Sequence, residues 1–85
     1  MNNDDIKQMI EHGLSGATVQ VEGDGTHFQA LVVTDEFEGL GMIERHRKVY
    51  ASLGNRIGGE IHALSIQAYT RSEWEQRQPL RIVKT

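Results

Sequence analysis

Cysteine is absent from this 85-residue chain. That excludes disulfides, thiol catalysis, zinc knuckles and any iron–sulfur cluster held only by the chain's own thiolates. A metal site must therefore draw on the four histidines (His12, His27, His46, His62), on carboxylates, or on a partner's ligands. Proline occurs once, at Pro79. No run approaches the roughly 18 consecutive apolar residues of a membrane span. The opening MNNDDIKQMI is acidic, where a signal peptide is basic. These absences lead us to expect a soluble, cytoplasmic protein that does not engage a membrane. A strongly basic character, the usual footprint of a nucleic-acid-binding domain, is also missing: the formal net charge is −3. That total hides an asymmetry, because residues 1–40 carry one lysine against eight acids and residues 41–85 carry eight Lys/Arg against four acids.

What is present suits one small globular domain. Apolar content of 38% and charged content of 25% exclude wholesale disorder, and the length leaves no room for a second catalytic lobe. Ile6, Met9, Ile10 and Leu14 form an amphipathic helical stripe, with Asp4 or Asp5 as its expected cap and Gly13 and Gly16 as its stop. The GLSG tetrad there leads from helix to strand, unlike the phosphate-clamping GxxG loop of KH domains, which lies between two helices. ATVQVEG (17–23) and HFQALVV (27–33) read as a strand pair turned at Asp24-Gly25. TDEFEGLG (34–41) is a polar connection with one aromatic, Phe37, expected inside. In MIERHRKVYASL, the residues Met42, His46, Val49, Tyr50 and Leu53 share one helical face, leaving Arg45, Arg47 and Lys48 on a solvated one. A short helical turn is expected around Arg56–Ile57, inside the glycine-rich GNRIGGE. IHALSIQAY (61–69) is a third strand, and Thr70-Arg71-Ser72-Glu73 matches a capping box that opens a final helix carrying Trp74. Pro79 is expected to end order, giving a domain over 1–78 and a flexible tail over 79–85. The order αββααβα predicts an α/β (α+β) fold: a three-stranded mixed sheet with helices packed over one face.

GDGTH (23–27) poses the functional question. Neither strand-to-helix order nor a following lysine supports a phosphate loop, so the glycines turn the chain. His27 is then either a solvated turn residue or a ligand, and His62, opening the third strand, is either hydrogen-bonded at a rim or a ligand. His46, on the apolar helix face, reads as a satisfied packing histidine. No nucleophile elbow, metalloprotease helix or P-loop occurs, so we expect no enzyme activity.

GDG-x-HFQ on the hairpin, F-x-G before an RHRxVY helix, and IHALSI-x-AYT-x-x-EW near the end occur in order over residues 4–76. With these motifs the chain resembles the BolA-like family, most closely its short, acid-stress-type bacterial members. The resemblance implies a class II KH-like fold and a role beside a monothiol glutaredoxin. A [2Fe-2S] cluster would bridge the two proteins, with thiolates from the glutaredoxin and glutathione and imidazoles from His27 and His62 of this chain. Neutral imidazole is a competent iron ligand, and exchanging thiolate for it raises a cluster's potential. The isolated chain, a monomer or weak homodimer, would hold no cofactor.

Two functions follow. In the first, the protein assists iron–sulfur cluster assembly, transfer or iron sensing. In the second, it is a stress-related transcriptional regulator whose Arg45, Arg47, Lys48 and Arg56 contact DNA phosphates; the same residues are candidates for docking the glutaredoxin. Phosphate contacts position a protein without specifying sequence.

Overall fold

The computed structural model describes residues 2–54 and 63–83, the last six of these as backbone only. The expected turn at Arg56–Ile57, together with His62, lies outside the described residues. The elements are α1 (Asn3–Gly13), β1 (Thr18–Gly23), β2 (His27–Val33), a one-turn 3-10 helix (Asp35–Phe37), α2 (Met42–Leu53), β3 (Ala63–Tyr69) and α3 (Arg71–Val83). Three helices and a three-stranded mixed sheet in the order α-β-β-α-β-α bear out the fold class.

The sheet runs β1-β2-β3. β1 and β2 pair antiparallel from Thr18↔Val33 to Gly23↔Phe28. β2 and β3 pair parallel from His27↔Ala63 to Val33↔Tyr69. Alternation along β2 sends Phe28, Ala30 and Val32 inward, where they meet Ile6, Ile10 and Leu14 from the α1 side and Val49 and Leu53 from α2. Fully burying an aliphatic or phenyl side chain of this kind contributes about 1.5–3 kcal/mol. Phe37 is completely buried, held by the 3-10 turn whose N-cap is Thr34.

Helix α1 is capped by Asn2, not by Asp4 or Asp5. The Asn2 side chain accepts from the Asp5 N–H at 2.8 Å, and the Asp5 carboxylate accepts from the Asn2 N–H at 3.3 Å. The reciprocal box needs an acceptor three residues before the acid, and only Asn2 stands there. Helix α3 continues through Pro79 to Val83, which corrects the stop expected at the proline. A proline removes one donor and crowds the carbonyl four residues earlier, which weakens a helix without forbidding its continuation. Residue 78 therefore marks no break in secondary structure. No helix among the described residues is long and apolar enough to cross a membrane.

The inward face of α2 is shifted from the one the apolar spacing indicates: Val49 and Leu53 are buried as read, but Arg45 joins them in place of Met42 and Tyr50. Met42 is 58% exposed and Tyr50 39%, whereas Arg45 is 9% exposed and forms the buried stripe with Val49 and Leu53. A charge can occupy that place because each of its three nitrogens finds an acceptor and a carboxylate faces it. Arg45 Nε donates to the Leu40 carbonyl at 2.9 Å, and Nη1 donates to the Ala68 carbonyl at 3.1 Å. Nη1 and Nη2 also grip the Glu73 carboxylate at 2.7 and 3.1 Å. The guanidinium lies over the Phe37 ring, 5.8 Å from its centroid. Arg45 is a structural pin, which corrects its place on a solvated basic face.

Glu73 also performs the expected capping. Its Oε1 accepts from the Thr70 N–H at 2.9 Å, and its own N–H donates to Thr70 Oγ1 at 3.2 Å. Arg45 first, then the Thr70 N–H, lower the Glu73 pKa from 4.5 to about 2. Because the folded value is depressed, the associated stability is complete above the unfolded value of 4.5 and is lost as pH falls from there toward about 2. The Glu73 side chain is 46% exposed, so solvent screens part of the interaction. Glu73→Gln is expected to cost about 1–2 kcal/mol at neutral pH. In paired urea titrations the difference between wild type and variant should shrink below pH 4.5; a difference independent of pH would contradict the assignment.

Candidate ligand site at the hairpin edge of the sheet

The β1–β2 turn is built around one carboxylate. Asp24 Oδ1 accepts from the backbone N–H of Thr26 and of His27, each at 2.9 Å, while the Asp24 N–H donates to the His27 carbonyl at 3.2 Å. This is the side-chain-to-backbone turn that aspartate favours. These contacts hold the Asp24 carboxyl below its ordinary range, the His27 N–H contributing most and the Thr26 N–H next. Gly25 has φ +99°, in the left-handed region that costs other residues strain. Gly23 serves close approach: a Cβ there would lie 2.5 Å from the His27 carbonyl oxygen and 2.6 Å from Phe28 Cδ1.

His27 begins β2, the central strand, and is exposed. It belongs to the row that faces away from the buried Phe28 and Ala30. On that open face Gln20, Glu22, Gln29, Ser65 and Gln67 help line a shallow cavity of about 320 Å³. The parallel register sets Ala63 beside His27. Adjacent strands lie about 4.8 Å apart, so the residue that follows His62 in the chain is a lateral neighbour of His27. Among the described residues, no group of three or more His, Asp or Glu side chains is placed to hold a metal ion.

A family model described as BolA-like protein matches residues 4–73. The chain belongs to the BolA-like family. This BolA-like protein is 38% identical over 81 residues to the acid stress protein IbaG of Escherichia coli (strain K12), covering 94% of this chain and 96% of that one. It is 44% identical over 66 residues to human BolA-like protein 1; the match covers 78% of this chain but 48% of the human protein, so the chain spans about half that relative's length. Among solved structures, a bolA homologue from Coxiella burnetii aligns with a TM-score of 0.81 at 49% identity, covering 88% of this chain and 97% of that one.

The remaining candidates of this BolA-like protein divide as follows. Arg47 and Lys48 are exposed on α2, Arg45 is consumed within the fold, and Arg56 lies outside the described residues. His46 is partly buried as expected, but its Nε2 is buried without a hydrogen-bond partner, so it is not a satisfied packing histidine. Sequence reasoning missed the reach of Asp24 to His27; the preference of aspartate for bonding to backbone N–H groups downstream was the available signal.

Gly23→Ala should force the hairpin to shift and cost about 1–3 kcal/mol, while Gly25→Ala should cost about 1 kcal/mol through its positive φ. Urea denaturation measures both. The packing argument fails for Gly23 if its variant unfolds within about 0.5 kcal/mol of wild type.

Proposed function

We propose that this BolA-like protein is a non-enzymatic partner of a monothiol glutaredoxin. In this reading it lends imidazole nitrogens from His27 and His62 to a [2Fe-2S] cluster that the two proteins share, and thereby assists cluster assembly, transfer or iron sensing. The observation that carries the reading is the exposed His27 at the start of the central strand, with the residue after His62 as its register neighbour. Membership of the BolA-like family adds to it. The donor chemistry also fits: a chain without cysteine joins such a cluster through nitrogen, and the glutaredoxin and glutathione bring the sulfur. An exposed imidazole on a hairpin can meet a cluster seated on another protein, whereas one inside the core could not.

The nucleic-acid alternative has lost one of its four cations. Arg45 spends its donors on Glu73 and two carbonyls, leaving Arg47 and Lys48 as the exposed pair on α2. With Arg56, which lies outside the described residues, three cations remain, a weak phosphate-binding footprint on an acidic domain.

The test is anaerobic reconstitution of the protein with a monothiol glutaredoxin, glutathione, iron and sulfide, followed by visible circular dichroism. A spectrum distinct from that of the glutaredoxin homodimer is expected for wild type, and it should be lost or shifted in both His27→Ala and His62→Ala. A wild-type mixture that shows only the homodimer spectrum and no complex on sizing would sink the proposal.

A further inference from the structure

We infer that Asp24 is a positioning residue for His27, holding the peptide groups that carry the ligand histidine so that its imidazole is presented from a preset origin. The inference deepens the shared-cluster reading and rests on it. Its basis is where the turn spends its hydrogen bonds. A four-residue turn can be closed by one backbone bond, and the Asp24 N–H to the His27 carbonyl supplies that. The carboxylate adds two more, and one ends on the His27 N–H itself. Both peptide groups of His27 are therefore tied to the same residue, and the Thr26 N–H is held by the same carboxylate oxygen. The conformation at Gly25 and the absence of a Cβ at Gly23 let the chain fold back tightly enough for this.

Phe28, the next residue, is 2% exposed and anchored in the core. His27 is thus clamped on one side by Asp24 and on the other by a buried phenyl ring, and its side-chain torsions are its remaining freedom. A ligand on an untethered hairpin would lose backbone freedom when it met iron, and that loss weakens binding. Groups that orient a metal-binding histidine without touching the metal typically contribute 10- to 100-fold in metal affinity.

The experiment compares wild type, Asp24→Ala and Asp24→Asn. Asparagine keeps the oxygen that accepts both N–H bonds and discards the charge; alanine discards both. In the isolated protein, the amides of Thr26 and His27 should exchange with solvent faster in Asp24→Ala and near the wild-type rate in Asp24→Asn, with β2 and the helices unchanged in both. In the reconstituted mixture with glutaredoxin and glutathione, Asp24→Ala should need about 10-fold or more protein to reach half the complex signal and should show an altered visible circular dichroism band shape. Asp24→Asn should restore both.

Wild-type affinity and band shape in Asp24→Ala, beside a normal wild-type complex, would overturn the positioning role and leave the shared cluster standing. Equal loss in both variants would overturn it too, since charge rather than orientation would then be the cause. A wild-type protein that forms no shared complex would overturn both readings together.

Discussion

Parallel pairing of β2 with β3 is the constraint on which the rest of this molecule depends. It makes β2 the central strand, so Phe28, Ala30 and Val32 become the floor on which α1 and α2 pack. It continues past the strand ends, where the Thr34 N–H donates to the Tyr69 carbonyl at 3.0 Å. Two parallel strands cannot be joined by a tight turn, so the chain must cross from one end of the sheet to the other, and α2 covers the apolar face on the way. The same register sets Ala63 beside His27.

The two ends of the sheet carry different chemistry. Among the described residues, the buried polar side chains are Thr34, Arg45 and Thr70. Thr34 and Thr70 directly follow β2 and β3, and Arg45 reaches the same end through the Ala68 carbonyl and Glu73. Thr34 Oγ1 donates to the Ser15 carbonyl at 3.1 Å and accepts from the Glu36 N–H at 3.2 Å, tying the loop after α1 to the 3-10 turn. Desolvated polar groups are costly unless every one is paired, and here they are gathered where helices and loops can pair them. Among the described residues the hairpin end holds no such network: the polar side chains of the turn are exposed and its order comes from Asp24. An exposed side chain can change there without disturbing the core.

Much of this was legible in the sequence, and the misses share a cause. The bounds of β2 and the Thr70/Glu73 box depend on neighbours within a few residues, and both appear as read, whereas the hairpin centre falls one residue later than read, at Gly25-Thr26, because Gly23 pairs with Phe28. The face of α2 is shifted too. Spacing favoured Met42 and Tyr50 over Arg45, because a carboxylate 28 positions away was needed to make a buried arginine tolerable. Glu73 advertised its capping role and gave no sign of its second partner. Helix α3 outran Pro79 because a proline bears on helix continuation without settling it. At the candidate site His27 stood out by residue type, whereas the grip of Asp24 on it rests on the turn's detailed geometry. His62 and Arg56 lie outside the described residues, so for them the sequence reading stands alone.

The central claim, that nitrogen from this chain reaches iron, is tested most directly by pulsed electron paramagnetic resonance on the reduced mixed complex. The BolA-like protein alone would carry nitrogen-15-labelled histidine, with the glutaredoxin and glutathione at natural abundance. The account predicts strong hyperfine couplings from two labelled imidazole nitrogens, one of which disappears in His27→Ala. Couplings from natural-abundance nitrogen only, unchanged by the label, would contradict it.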